Sequence, residues 1–143
     1  MRPALIAGLV YALALLALGV VLGAFRTFLI EPWLGAWPAL LIELPVILYG
    51  AWRLSALAVE GRELDRAGGV AAGIVALIVL LIAEALLSQI LSGRSLIAHF
   101  ALYADPRHQL GLAAQVLAAG FPLMRVWTAP PPPPPLKGEV LGP

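Results

Sequence analysis

Four long apolar segments, joined by short polar connections, constrain this fold more than any other feature. Each segment carries at most one charged side chain; they are residues 3–25, 32–52, 67–93 and 108–124. A helix needs about 20 apolar residues to cross the hydrocarbon layer of a membrane. In hydrocarbon, each backbone amide must also find its hydrogen bond within its own segment. The sequence therefore predicts an all-α integral membrane protein with four transmembrane helices in a compact bundle.

The composition supports this class of protein and excludes others. Apolar residues make up 62% of the 143 residues and charged residues 12%, whereas a soluble domain is about 45–50% apolar and about a quarter charged. Cysteine is absent, which excludes disulfides, thiolate nucleophiles and cysteine-ligated metal centres. The net charge is +1 and no basic stripe is present, so we expect no nucleic-acid partner.

The predicted organisation is one transmembrane domain followed by a tail. Within residues 1–128 we expect four helices, at about 4–29, 36–53, 68–92 and 109–127. Residues 129–143 include six consecutive prolines and are predicted to form a proline-rich, disordered cytoplasmic tail. The first apolar run is longer than the roughly 7–15 residues of a signal-peptide core, so we expect it to be retained as a helix.

Lysine and arginine are distributed unequally between the two sides of the predicted membrane domain. Of the nine such residues, six fall in the N-terminus, the second connection and the tail: Arg2, Arg53, Arg62, Arg66, Arg125 and Lys137. Positively charged residues favour cytoplasmic loops. The sequence therefore predicts a multi-pass protein of the bacterial inner (plasma) membrane, with its N- and C-termini in the cytoplasm.

Two carboxylates interrupt the apolar segments. Glu43 and Glu84 each lie ten residues before an arginine, which places them about 15 Å from a charged end, near the middle of a core about 30 Å thick. A charge there costs about 2.5–3.5 kcal/mol on the mildest scale, so we expect a neutralising partner. Arg26 is the best candidate and is expected to reach toward Glu84. The predicted intramembrane polar cluster is Arg26, Glu43, Glu84, Ser88 and Gln115.

Two interpretations of this cluster stay open. The carboxylates handle an ion, a proton or a ligand, which is the default hypothesis for ionisable residues inside a membrane. Since the second and third helices run in opposite directions, the two carboxylates could face each other and share one proton. Alternatively, they hydrogen-bond within the bundle or to a partner, at about 0.6 kcal/mol for a typical bond.

Small residues mark the predicted packing surfaces. Gly19 and Gly23 form one small-xxx-small pair, and Gly69 and Gly73 form another. Such pairs let helix backbones approach closely. We expect them to pack the helices within one bundle, and a homodimer is the alternative.

No pattern for catalysis or metal binding is present. His99 and His108 lie nine residues apart near Asp105, a spacing that does not impose convergent metal ligation. The serines have no nucleophile motif around them, and neither a phosphate-binding loop nor a zinc-protease motif occurs. We therefore predict a non-enzymatic protein without a metal or cofactor.

Three stretches carry a family resemblance: "GAFRTFLIEPWLGAWPALLIELPVIL", "IAEALLSQILSGRS" and "YADPRHQLGLAAQVLAAGFPLM". Over about residues 15–127 the chain resembles a family of small, uncharacterised four-helix proteins of the bacterial inner membrane. The resemblance implies the four-helix fold and the importance of the matching positions, and it implies no activity. Those positions are Arg26, Glu43, Pro45, Glu84, Gly93, Arg94, Ser95, Asp105, Pro106, Phe121 and Pro122.

Two functions follow as hypotheses. The leading one is a non-enzymatic subunit or accessory of a membrane assembly, which the small size and packing-rich helices favour. Its partners would be the lipid bilayer and a membrane protein or a second copy of the chain. The alternative is a small proton- or cation-coupled transporter that uses Glu43 and Glu84 as carriers.

Overall fold

The computed structural model describes residues 1–128, and the predicted proline-rich tail lies outside the described residues. The described chain is helical apart from short turns, and it contains no strand. The elements are α1 (Arg2–Phe25), a π-helical turn (Arg26–Ile30), α2 (Glu31–Leu34), α3 (Ala36–Val59), α4 (Arg66–Ser92), α5 (Leu96–Ala101), a 3-10 turn (Leu102–Ala104), α6 (Pro106–Ala119) and α7 (Phe121–Thr128).

Four helical segments are long and apolar enough to cross a membrane, which confirms the predicted number of such helices. We name them spans 1 to 4: Arg2–Leu34, Ala36–Val59, Arg66–Ser92 and Pro106–Thr128. Span 1 runs past its predicted end because Pro32 occupies the first turn of α2, where no backbone N–H is needed. Span 2 continues past Arg53 because arginine is a good helix former. It ends before Gly61, whose φ of +69° is incompatible with a helix.

The spans pack in a ring whose order is 1, 2, 4, 3. Span 1 contacts spans 2 and 3, span 4 contacts the same two, and spans 2 and 3 barely touch. Gly8 lies against Ala72 near the start of both their spans, so spans 1 and 3 run parallel. Tyr11 contacts Ala51 whereas Gly23 lies near Glu43, so span 2 runs antiparallel to span 1.

The core of the bundle consists mainly of small residues. Many fully buried side chains are alanines: Ala7, Ala12, Ala39, Ala51, Ala58, Ala72 and Ala76. A Cβ atom on Gly73 would overlap the carbonyl oxygen of Ala119, and one on Gly69 would lie 2.9 Å from the Cα of Leu123. These two predicted packing glycines therefore lie where span 3 meets span 4. Gly19 and Gly23 are less constrained, since a Cβ there meets its nearest atom at 3.8 Å and 4.0 Å.

Candidate functional site

Arg26 and Glu43 form an ion pair between spans 1 and 2. Arg26 Nε lies 2.6 Å from Glu43 Oε2, and the side chains are 27% and 12% exposed. The Nε–H does not point along this line, so the contact is an ion pair rather than a well-aligned hydrogen bond. Glu31 accepts a hydrogen bond from Arg26 Nη1 at 3.2 Å. The guanidinium group of Arg26 therefore neutralises the Glu43 carboxylate inside the bundle and also binds the Glu31 carboxylate nearer the end of span 1.

The π-helical turn explains how Arg26 reaches Glu31. Five residues along an α-helix rotate a side chain by about 500°, which leaves the two positions about 140° apart. In the wider turn from Arg26 to Ile30, the backbone N–H of Glu31 instead bonds to the carbonyl of Arg26. This i to i+5 closure stacks the two side chains on one side of the helix.

Glu84 and Gln115 form a second polar pair, between spans 3 and 4. Gln115 Nε2 donates to Glu84 Oε1 at 2.5 Å. Two further buried atoms on these spans, Ser88 Oγ and Gln115 Oε1, have no hydrogen-bond partner within residues 1–128. No basic side chain in that part of the chain forms an ion pair with Glu84. The site around Glu84 is thus less completely satisfied than the site around Glu43.

The residues predicted as one polar cluster therefore lie in two separate pairs. Arg26 contacts Glu43 and Glu31, and not Glu84 as the sequence led us to expect. Glu43 and Glu84 do not face each other, because spans 2 and 3 occupy opposite corners of the ring. Residue spacing gives the depth of a side chain along its helix. The corner of the ring that the helix occupies depends instead on which helices pack together.

Tyr11 is a buried polar residue that the sequence reasoning missed. Its hydroxyl is fully buried and lies 2.9 Å from the carbonyl oxygen of Ala118 and 3.2 Å from that of Ala51. The Ala118 carbonyl lacks its usual helical donor because residue 122 is a proline. A lone hydroxyl in α1 and an internal proline in span 4 were the available signals.

Arg125 is a second missed residue, and it joins span 4 to span 2. Its Nη2 donates to the carbonyl of Trp52 at 2.7 Å and its Nε donates to Ser55 Oγ at 3.3 Å. The guanidinium carbon also lies 3.7 Å from the centre of the Trp52 ring, a cation–π geometry. From the sequence, Arg125 is predicted only to be a cytoplasmic charge.

An aromatic cluster caps the end of the bundle near Glu84. His99 is buried on α5, and its ring meets the ring of Tyr103 edge-on with centroids 5.9 Å apart. Burial and the nearby Glu84 charge raise the pKa of Tyr103. Within residues 1–128, no three acidic or histidine side chains are grouped so as to hold a metal ion.

Asp105 begins span 4 as its N-cap. Its Oδ1 accepts a hydrogen bond from the backbone N–H of Arg107 at 2.9 Å, and the carboxylate also pairs with the Arg107 side chain. These hydrogen bonds lower the pKa of Asp105 to about 2. The role of this residue is therefore to start the helix.

Comparison with protein-family models, with curated proteins and with solved structures finds no match to this chain. The family resemblance therefore stays a prediction, and the function is inferred from the residues themselves. Two open clefts lie on the outside of span 2, and neither is lined by Glu43 or Glu84. The polar residues form contacts between spans.

Proposed function

We propose that this chain is an integral protein of the bacterial inner membrane and acts as a non-enzymatic subunit or accessory of a larger membrane assembly. Four helices of transmembrane length and composition support the membrane assignment. The excess of lysine and arginine in the N-terminus, second connection and tail supports cytoplasmic termini. Large apolar side chains face outward on all four spans, where lipid or a partner would cover them.

The observation that carries this proposal is the ion pair between Arg26 and Glu43. A carboxylate that carries a proton or a cation must exchange its partner during each cycle. Glu43 instead has a permanent cation from the neighbouring span, and Arg26 is held in addition by Glu31. The contact therefore works as a clasp that fixes span 1 against span 2, which is what a scaffold subunit requires.

The close approach of the spans supports the same interpretation. Gly8, Gly69 and Gly73 each lie so near a neighbouring backbone that a Cβ atom would come within 3.0 Å of it. Close backbone contact of this kind stabilises helix association in membranes. A bundle packed on small residues offers a fixed outer shape for a partner to recognise.

Native mass spectrometry of the protein extracted gently from its own membrane tests the proposal. We expect a reproducible, stoichiometric mass with a larger membrane protein, and a bare monomer or homodimer would contradict it. Bulky substitutions on the exposed face of each span map the contact: Val20→Trp, Val46→Trp, Ile82→Trp and Val116→Trp. One of these variants should lose the partner while the other three serve as its matched controls.

A second function, proton- or cation-coupled transport, is favoured by one observation at Glu84. This carboxylate has an amide partner but no cationic one within residues 1–128, and Ser88 Oγ and Gln115 Oε1 near it are buried and unpaired. A transporter that used this site would show flux in liposomes that Glu84→Gln abolishes while the fold survives. An accessory protein would show no flux in the wild type.

A further inference from the structure

Two clefts on the outside of span 2 share Arg53 and Leu54. The first, of about 550 Å³, lies between spans 1 and 2 and is lined in addition by Ala14, Ala17, Leu18, Val21, Tyr49 and Gly50. The second, of about 480 Å³, lies between spans 2 and 4 and is lined in addition by Trp52, Ala56, Leu57, Glu60 and Arg125. Because they share two residues, the clefts adjoin at Arg53 and Leu54, and we name the two together the Arg53 groove.

The chemistry of the Arg53 groove changes along the helix axis. The first cleft, between spans 1 and 2, is the more apolar one. From Arg53 this apolar cleft extends toward the middle of span 1, where its lining from Ala14 to Val21 covers about 10 Å of helix. The second cleft, between spans 2 and 4, is the more polar one because Arg53, Glu60 and Arg125 line it. This polar cleft extends the other way, to Glu60 at the end of span 2, again over about 10 Å. A membrane phospholipid has the same order, with its acyl chain toward the bilayer centre and its phosphate nearer the end of a span.

Arg53 provides an uncompensated positive charge where the two clefts meet. Its side chain is exposed, and no carboxylate within residues 1–128 forms an ion pair with it. Arg125 contributes a second guanidinium group, which uses Nε and Nη2 for Ser55 and Trp52 and so keeps Nη1 for another acceptor. Glu60 is the one acidic residue lining the groove, so two arginines and one glutamate give the lining a charge of +1.

We propose that the Arg53 groove binds one anionic phospholipid. The phosphate lies between Arg53 and Arg125, since guanidinium groups bind phosphate through paired N–H donors. One acyl chain lies over Ala14 and Ala17, whose small size leaves room for it, while the side chain of Leu18 covers Gly50. A zwitterionic lipid carries a cation that the positive lining disfavours. A soluble phosphate has no chain to fill the apolar cleft, so the ligand is a lipid.

Native mass spectrometry of the purified full-length protein in detergent tests this site. The chain is titrated with phosphatidylglycerol and, separately, with phosphatidylcholine of identical acyl chains. We expect one phosphatidylglycerol to bind in preference, and Arg53→Gln to weaken that binding about fivefold, as expected for one arginine near an anionic surface. The matched control is Arg94→Gln, which removes an exposed arginine from outside the groove and should leave binding unchanged.

A second variant tests the acyl chain. Ala17→Phe fills the apolar cleft and should also weaken phosphatidylglycerol binding, whereas Ala113→Phe, on an exposed position outside the groove, should not. Equal affinity for the two lipids, or equal binding by the Arg53→Gln and Arg94→Gln variants, would overturn the proposal. So would inorganic phosphate that displaces phosphatidylglycerol at equal concentration, because the site would then bind phosphate without the lipid.

Discussion

The hydroxyl of Tyr11 lies 2.9 Å from the carbonyl oxygen of Ala118, the carbonyl that Pro122 leaves without its usual donor four residues along the helix. The two residues belong to spans 1 and 4, which occupy opposite corners of the ring and otherwise barely touch. Span 4 is interrupted at this point, since α6 ends at Ala119 and α7 begins at Phe121. The Tyr11 side chain of span 1 thus provides a hydrogen bond to the backbone carbonyl of Ala118 in span 4.

Replacing Tyr11 with phenylalanine should lower the free energy of unfolding by about 1 kcal/mol, within the range of hydrogen bonds between membrane helices. Unfolding in mixed micelles titrated with a denaturing detergent measures the change. Tyr49→Phe is the matched control, because Tyr49 is 65% exposed. In a Pro122→Ala background, residue 122 can donate to Ala118 again, so the cost of Tyr11→Phe should fall. An unchanged cost in that background would contradict the account.

Gly73→Ala should destabilise the protein, because the new Cβ atom would overlap the carbonyl oxygen of Ala119. Overpacking of this kind costs about 1–3 kcal/mol, which outweighs the gain of about 0.8–1.0 kcal/mol from replacing a helical glycine by alanine. Gly111→Ala is the control, since nothing lies within 4 Å of a Cβ there, and it should be neutral or stabilising. The same unfolding assay compares the two variants. Equal changes in the free energy of unfolding would show that the close contact between Gly73 and Ala119 does not limit the size of residue 73.

Replacing Arg26 or Glu43, the two partners of the clasp, with glutamine should lower the free energy of unfolding by different amounts. Arg26→Gln leaves Glu43 without a cation inside the bundle, and we expect a loss of about 2–3 kcal/mol, less than for a fully buried pair because Arg26 is partly exposed. Glu43→Gln should cost less, since Arg26 keeps Glu31. Glu31→Gln should have the smallest effect. Unfolding measurements on the three variants would count against the clasp if this order were reversed.

Asp105 should titrate at unusually low pH. Hydrogen bonds from Arg107 lower its pKa from 3.8 to about 2, so this carboxylate contributes stability above about pH 4 and loses that contribution as the pH falls toward 2. NMR of the Asp105 carboxyl carbon measures the midpoint directly. Arg107→Gln should move the midpoint back toward the ordinary value. A wild-type midpoint near 3.8 would show that the bond to Arg107 does not persist in solution.

The helices of this protein could be predicted because each apolar run is long, nearly free of charge and bounded by turn residues. The ends of the helices were harder to predict from the sequence. The sequence predicts an end at Arg53, yet span 2 continues to Val59. A single charged residue with high helix propensity does not stop a helix, and its long side chain can extend toward a polar region while its stem stays along the apolar surface.

The polar contacts could be predicted only as a list of residues. Arg26, Glu43, Glu84 and Gln115 all form contacts between spans, but the pairing depends on the 1, 2, 4, 3 order of the ring. That order follows from close approaches such as Gly8 to Ala72 and Gly73 to Ala119, which require the three-dimensional shapes of two helix surfaces. Tyr11 was missed for the same reason, since its acceptor lies 107 residues away.

Flux through liposomes containing the purified wild-type protein distinguishes a clasp from a carrier, because a clasp carries nothing across the membrane. Proton and potassium fluxes are measured with pH-sensitive and potassium-sensitive dyes under an imposed gradient, against protein-free liposomes. We expect the same flux in both preparations. A flux that exceeds the protein-free value and disappears in Glu43→Gln or Glu84→Gln, with the fold intact, would contradict it and identify that carboxylate as a carrier.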